Sequence, residues 1–171
     1  MRGFVVYESL FGNTARVAQA VADGMKKRLD VELHGVAEGL RPGRTDLLVM
    51  GGPTHAFSMS RTSTREDAVK QGANGDSTMG LREWLEELPD GNDTLFAAFD
   101  TRVEIVRRLP GSAAKAAAKV ARKRGYQPLT RPESFYVQDT PGPLLHGEVQ
   151  RAEVWGAQLA ESMAGEVRDW G

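Results

Sequence analysis

The chain alternates strand-length apolar runs with longer amphipathic segments, and this rhythm constrains its fold more than any other feature. Residues 3–7, 46–50 and 95–99 are runs of mostly apolar residues. Their β-branched and aromatic content is typical of strands that are buried on both faces. Helix-length segments separate these runs, and strands joined through helices must run parallel. The sequence therefore predicts an α/β protein, a three-layer α/β/α sandwich around a parallel sheet.

The complete predicted element order is βαβαβαβαβα. Two further strands are expected at residues 31–33 and 134–137. Helices are expected at residues 17–29, 81–88 and 112–124, and from residue 148 onward. The first of them carries a stripe of apolar residues spaced by three and four, which marks one buried face. The helix over residues 112–124 is expected to have Ser112 as its N-cap and to end at Gly125.

Length and composition narrow the protein class. With 171 residues the chain fits one domain, so we expect a single domain over residues 1–171. It has no cysteine, which excludes disulfides, thiolate metal sites and a cysteine nucleophile. No apolar run approaches the roughly 20 residues of a membrane-spanning helix. Residues 1–3 lead directly into a strand and leave no room for a signal peptide, so we expect a cytoplasmic protein without membrane contact.

The charges are balanced overall but unevenly distributed. There are 22 Lys and Arg residues against 23 Asp and Glu, a net charge of −1, so no global field favours nucleic acid as a partner. Residues 102–124, however, contain eight basic side chains and a single acid, Glu104. The simpler interpretation is a solvated helix face. The alternative is a docking surface for an acidic partner or an anionic ligand.

One segment breaks the rhythm. Almost thirty residues lie between Pro53 and Leu81, far more than the usual loop of about 2–6 residues between a strand and a helix. Residues 63–66, Ser-Thr-Arg-Glu, have capping-box form and predict a short helix there. Gly72, Gly75 and Gly80 keep the remainder loose. A loop of this length at the end of a central strand is usually functional, although its role here is left open.

Polar residues follow the first strand at the start of a helix. In an open parallel sheet, ligands bind beyond the carboxyl ends of the strands. The hydroxyls of Ser9 and Thr14 and the backbone N–H groups around Gly12 suit a phosphate at the positive end of the helix. The segment is neither a Walker loop nor the three-glycine dinucleotide motif. An ordinary N-cap with a turn glycine remains an equally good interpretation of these residues alone.

Three segments together resemble the flavin-binding loops of the flavodoxin family. Residues 7–14, Tyr-Glu-Ser-Leu-Phe-Gly-Asn-Thr, are similar to its phosphate loop. Residues 51–57, Gly-Gly-Pro-Thr-His-Ala-Phe, resemble its second loop, and residues 98–102, Ala-Phe-Asp-Thr-Arg, stand in the place of its third. Residues 134–148 also look like the end of many flavodoxin-like domains. The resemblance covers essentially the whole chain, and the three motifs occur in the right order at the right strand ends.

The resemblance implies a five-stranded parallel sheet in the order 2-1-3-4-5 with noncovalently bound FMN. For the phosphate it implies contacts from Ser9, Gly12, Asn13 and Thr14, with backbone N–H groups of Leu10 and Phe11. Around the flavin ring it implies Pro53, Thr54, His55, Ala56 and Phe57. At the polar pyrimidine edge of the ring it implies Asp100, Thr101 and Arg102. A phosphate needs convergent donors and a flat ring needs a slot with a few polar contacts, so these residue types match the ligand.

The sequence also departs from the family pattern. His55 stands at the inner stacking position, and residues 102–112 contain no Phe, Tyr or Trp for the outer face of the ring. Phe11 stands where the family often has a hydroxyl. The near-neutral charge differs from that of acidic electron carriers. His55 is either a polar loop residue without a role or a partner of the cofactor that titrates near neutral pH.

These observations predict an FMN-dependent electron-transfer protein. An FMN-dependent NAD(P)H or quinone-type reductase is a close alternative, and a cofactor-less binding or regulatory module is a third. A deazaflavin fits the same slot. The partner is expected to be a redox protein or a small electron acceptor. No catalytic residue or metal site is assigned, because the three histidines lack ligand spacing. Trp84, Trp155 and Trp170 are expected to pack in the core or on the surface.

Overall fold

The computed structural model describes residues 1–169, with side chains to residue 165. Its strands are β1 (Arg2–Tyr7), β2 (Asp30–Gly35), β3 (Leu47–His55), β4 (Ser58–Met59), β5 (Leu95–Val103), β6 (Gln127–Pro128) and β7 (Glu133–Val137). Its α-helices are α1 (Asn13–Met25), α2 (Thr62–Lys70), α3 (Leu81–Glu86), α4 (Ala113–Lys123) and α5 (Glu148–Asp169).

The sheet has the predicted doubly wound order. Strands β2, β1, β3 and β5 are neighbours in that sequence, and each pair is parallel. The fifth position is shared, because β6 pairs with the beginning of β5 and β7 with its end. The two-residue strand β4 turns back antiparallel on β3. Strands of two residues show no periodicity, so the sequence predicted one strand at the fifth position and none after β3.

Alternation along the strands divides the core into two layers. On β1, Val5 joins the layer beneath α1 and α5, whereas Phe4 and Val6 join the layer beneath α3 and α4. The apolar stripe predicted for the first helix is fully buried, at Val17, Ala18, Val21, Ala22 and Met25. The three-layer prediction is therefore confirmed.

Two local predictions about helix starts had different outcomes. At α4, the Lys115 amide donates to Ser112 Oγ over 3.2 Å, so the predicted N-cap is confirmed. A short helix was also predicted in the long segment, and α2 is that helix. Its capping contact was placed wrongly, since it runs from the Arg61 amide to Thr64 Oγ1 over 2.9 Å rather than from Ser63. Thr64 is the third residue of α2, and from that position its hydroxyl accepts the hydrogen bond of the Arg61 amide.

Strands β3 and β5 continue beyond their predicted ends. The sequence predicted that Gly51 and Gly52 would close the third strand, but β3 runs through both to His55. A Cβ at Gly51 would lie 2.0 Å from the Phe99 ring, so glycine is needed for the packing of two adjacent strands and not for a turn. Similarly, β5 runs to Val103. Residues predicted to lie in loops therefore have the alternating orientation of a strand.

Helices α1 and α5 touch through paired glycines. A Cβ at Gly24 would lie 2.0 Å from the Glu153 carbonyl oxygen, and one at Gly156 would lie 2.1 Å from the Val21 carbonyl oxygen. Each glycine therefore lets the backbone of the other helix approach. This contact fixes the two helices that cover one face of the sheet.

The tryptophans within the described part of the chain pack in the core. Trp84 is fully buried and donates its ring N–H to the Leu40 carbonyl over 2.9 Å, and Trp155 is 7% exposed. Trp170 lies outside the described residues. Among residues 1–169, no helix combines the length and the apolar character that crossing a lipid bilayer requires.

Candidate functional site

A narrow cleft opens where the carboxyl ends of β1, β3 and β5 meet. We call it the strand-tip cleft, and its volume is about 50 Å³. It is lined by Leu10, Phe11, Asn13, Thr14, Pro53, Thr54, His55, Thr101, Arg102, Val103, Val137 and Thr140. Nine of the fourteen residues predicted from sequence to contact a cofactor thus line one cavity.

The start of α1 borders this cleft with unsatisfied backbone donors. Gly12 precedes the helix at φ +93°, a backbone conformation that glycine adopts readily. The first intrahelical bond runs from the Arg16 amide to the Gly12 carbonyl. Within residues 1–169, no side chain caps this helix start. The amides of residues 13–15 are therefore available at the positive end of the helix dipole, as an anion requires.

Hydrogen bonds between hydroxyl and backbone groups hold the strand tips together. The hydroxyls of Thr14 and Thr101 lie 2.7 Å apart and join the start of α1 to β5. The Thr54 hydroxyl accepts the Ala113 amide over 3.0 Å and joins β3 to α4. These hydrogen bonds hold the ends of the strands next to the starts of α1 and α4.

Asp100 lies outside this cleft. Along β5, Phe96 and Ala98 face the layer of α3 and α4, and alternation places Asp100 on that same face. Its fully buried carboxylate accepts the Ala114 amide over 3.0 Å at the start of α4. Its other oxygen, Oδ1, has no hydrogen-bond partner among the described residues. The family resemblance implied that Asp100 meets the polar edge of the ring, whereas in the structure its carboxylate is directed to the start of α4.

We expect Asp100→Asn to change how stability depends on pH. Burial raises the pKa of this carboxyl above its ordinary value of 3.8. The folded chain then holds the proton more tightly than the unfolded chain, so the stability contributed by Asp100 is greatest in acid and is lost as pH rises through the folded pKa. Asparagine keeps an acceptor for the Ala114 amide and does not ionise.

Urea unfolding of both proteins across acid to neutral pH checks this expectation. The free energy of unfolding of Asp100→Asn should gain on that of the wild type as pH rises. Asp67→Asn, at an exposed position of α2, is the control and should stay within about 0.5 kcal/mol of the wild type. A constant difference between Asp100→Asn and the wild type across the series would contradict the assignment.

The remaining predicted residues lie around the cleft. Ser9 and Gly12 face a wider cleft of about 560 Å³ on the β2 side of the loop after β1. There Ser9 Oγ accepts the Gly12 amide over 3.2 Å. Ala56 and Phe57 form the turn between β3 and β4 with φ of +47° and +64°. Both are exposed, and the Phe57 ring has no place in the cavity.

His55 sits between the strand-tip cleft and α2. Its Nδ1 lies 3.0 Å from Thr64 Oγ1. Burial first, and then the positive charge of Arg65, lower the pKa of His55 below its ordinary value of 6.5. The imidazole is therefore neutral at pH 7. A second cavity of about 230 Å³ lies between this strand end and α2, and it shares Thr54, His55 and Thr140 with the strand-tip cleft.

A buried polar network behind the loop after β1 was not predicted from the sequence. Glu8 is 2% exposed, and its carboxylate accepts Ser60 Oγ over 2.6 Å and the Leu81 amide over 2.8 Å. Arg65 donates to Ser60 Oγ over 2.9 Å and pairs with Glu83 over 2.7 Å. Burial raises the pKa of Glu8 in spite of these bonds. An acid directly after a buried strand was the available signal for Glu8.

The donors of the strand-tip cleft fit an anionic, partly flat ligand. The amides at the start of α1 and four threonine hydroxyls suit a phosphate ester, and Leu10, Pro53 and Val103 supply apolar walls. The volume of about 50 Å³ is far below the roughly 300–1,000 Å³ of small-molecule sites. The cleft as it stands is therefore too small for a flat ring. Among the described residues, no group of three His, Asp or Glu side chains is placed to hold a metal ion.

Comparisons with known proteins agree with this architecture. No family model and no curated protein matches the sequence. Among solved structures, a flavodoxin from the domain Archaea is similar with a TM-score of 0.64 and 19% identity, over 96% of this chain and 99% of that chain. The Streptococcus pneumoniae TIGR4 flavodoxin gives 0.64 and 17%, over 97% and 99%. A WrbA-like flavodoxin from Agrobacterium tumefaciens gives 0.59 and 18%, over 96% and 98%.

Proposed function

We propose that this chain, which has the flavodoxin-like fold, binds FMN noncovalently in the strand-tip cleft and transfers electrons through it. One observation carries the proposal: the tips of β1, β3 and β5 converge on the uncapped start of α1. That arrangement offers phosphate donors and a slot for a ring in one place. Bound FMN would supply one- and two-electron chemistry that no amino-acid side chain provides.

Each tip has its own part in this proposal. The amides after Gly12 and the hydroxyl of Thr14 hold the phosphate. Thr54 and His55 flank the ring from β3, and Thr101 and Arg102 contact it from β5. Phe11 contributes the only aromatic side chain that lines the cleft among the described residues. Because the cleft is narrow, binding includes a separation of the β3–β4 turn from residues 103–112.

A reductase acting on a small acceptor is the second candidate function. The cavity of about 230 Å³ beside α2 favours it, because this cavity shares Thr54, His55 and Thr140 with the strand-tip cleft. An acceptor lying there would be adjacent to the proposed ring site. A carrier that serves only a redox protein does not need such a chamber. In both cases we propose a cytoplasmic protein whose partner is a redox protein or a small electron acceptor.

Titration of the purified chain with FMN tests the proposal. Quenching of flavin fluorescence should give a micromolar or tighter Kd, and riboflavin, which lacks the phosphate, should bind about tenfold or more weakly. A protein that is isolated colourless and does not bind added FMN would be the cofactor-less module. Supplying NADH or NADPH with a quinone then separates the other two functions. Sustained turnover without a further protein supports the reductase, and dependence on an added reductase supports the carrier.

His55→Ala is expected to weaken FMN binding about fivefold, the effect of losing one neutral polar contact. Because the pKa of His55 is lowered, the imidazole is uncharged from neutral pH upward, so the loss should not vary with pH in that range. Fluorescence titration at several pH values measures it. His146→Ala, an exposed histidine before α5, is the control. An unchanged affinity together with an unchanged flavin potential would show that His55 has no role.

A further inference from the structure

Arg102 is a buried cation at the wall of the strand-tip cleft. The residue is 5% exposed. Its Nη2 donates to the carbonyl of Val106 over 2.9 Å and to that of Leu109 over 3.3 Å. Its Nε is buried and has no hydrogen-bond partner among the described residues. Arg102 therefore lines the cleft while one of its donors has no acceptor among the described residues.

The positive charge of Arg102 has no salt-bridge partner among residues 1–165. No carboxylate there lies within 4.0 Å of its guanidinium, whereas Arg65, the other buried arginine, pairs with Glu83. Asp100, two residues earlier on the same strand, attracts Arg102 only over a longer distance, because its carboxylate is directed to the start of α4. Burying a charge without a direct ion-pair partner lowers the stability of the folded protein. The position of Arg102 beside the strand-tip cleft therefore calls for an explanation.

The other groups around the cleft add to the positive potential. The start of α1 contributes the positive end of a helix dipole. The remaining polar lining consists of threonine hydroxyls, one asparagine and neutral His55. The residues that line the cleft include no acidic side chain. A ligand that gains negative charge inside this cleft is therefore stabilised more than one that does not.

We propose that Arg102 is the counter-charge for the reduced flavin ring, so that the chain binds reduced FMN more tightly than oxidised FMN. This inference rests on the proposed function. Reduction adds two electrons and, at mildly alkaline pH, one proton to the ring, which leaves the ring with one extra negative charge. A nearby positive charge in a site of low polarity strengthens binding of that form selectively. Arg102 thereby sets the direction in which the flavin potential moves on binding.

A purely structural role for Arg102 is the competing explanation. Its two bonds to the carbonyls of Val106 and Leu109 fasten residues 103–112 to β5. Loss of that fastening would weaken oxidised and reduced FMN alike. The ratio of the two dissociation constants therefore separates the explanations, because only a charge effect changes it.

The experiment measures Kd for oxidised FMN and for dithionite-reduced FMN at mildly alkaline pH without oxygen. Wild type, Arg102→Lys and Arg102→Met are compared. Arg108→Met, an exposed arginine of the same loop, is the control. We expect wild type to bind reduced FMN more tightly than oxidised FMN. In Arg102→Met the ratio of the two dissociation constants should fall by about tenfold or more. Arg102→Lys, which keeps the charge but not the forked donors, should retain most of the preference for reduced FMN.

Three results would overturn the inference. If Arg102→Met weakens both forms equally, Arg102 only fastens its loop. If Arg102→Lys loses the preference as fully as Arg102→Met does, the charge is not responsible. If wild type binds both forms equally, there is no preference to explain, although the proposed function stands. Failure of wild type to bind FMN in either form would remove the proposed function and this inference together.

Discussion

Arg65→Met is expected to lower the free energy of unfolding by about 3 kcal/mol, the upper end of the usual loss when a hydrogen bond to a charged group is removed. The side chain is 4% exposed and makes a two-point contact with Glu83. It also donates to Ser60, whose hydroxyl in turn donates to Glu8. Methionine fills a similar volume but leaves the buried Glu8 carboxylate without a nearby cation.

The loss should depend on pH in a defined direction. Because burial already raises the pKa of Glu8, the penalty should shrink as pH falls through that pKa and the carboxyl becomes neutral. Urea unfolding at neutral and acid pH measures both effects. Adding Glu8→Gln to Arg65→Met should recover part of the stability, since neither Glu8 nor Arg65 then leaves a buried charge in this network. Arg61→Met, at an exposed position four residues earlier, should stay within about 0.5 kcal/mol of wild type. A similar loss in Arg61→Met would show that the buried network is not the cause.

Gly156→Ala is expected to destabilise the chain by about 3 kcal/mol, at the upper end of the range for overpacking a core. The added Cβ would lie 2.1 Å from the Val21 carbonyl oxygen. Backbone cannot rotate away as a side chain does, so α1 and α5 must separate. That separation loosens the layer containing Phe99, Phe135 and Trp155, whose rings pack edge to face.

The same helix supplies a matched control. Gly165 also lies in α5, and a Cβ there would meet no atom within 4 Å among the described residues. Gly165→Ala should therefore stabilise the protein by as much as about 1 kcal/mol through helix propensity alone. Chemical denaturation of the two variants should give changes of opposite sign. Equal changes would mean that α1 and α5 are not in the close contact described.

The sequence predicts those helices and strands whose apolar residues recur with the spacing of a buried face. The stripe on α1 and the apolar strands each determine one element, and parallel pairing follows from the helices between them. The N-cap of α4 was found because Ser112 stands directly before an alanine-rich helical pattern. Strand ends were less predictable. Glycines 51 and 52 look like a turn in the sequence, yet they extend β3 because the Phe99 ring lies against the first of them.

The candidate site was predictable in its location but not in the direction of every side chain. Nine of the proposed contacts line one cleft because the strand tips must meet at one edge of a parallel sheet. Asp100 does not line the cleft. Its carboxylate is directed to the start of α4, and the sequence pattern did not show on which side of β5 this side chain would lie. Arg65 carried no usable signal. A single arginine in a long polar segment gives no periodic pattern, and it is buried only because Glu83 and Ser60 receive it.

The long excursion between β4 and α3 supports the loop after β1 from behind. Its Gly75 amide donates to the Leu10 carbonyl over 2.9 Å, and a Cβ at Gly75 would lie 2.3 Å from the Ser9 carbonyl oxygen. Ser60 and the Leu81 amide, at its two ends, hold Glu8. Shortening the segment between β4 and α3 would therefore remove contacts that hold the loop after β1 in place.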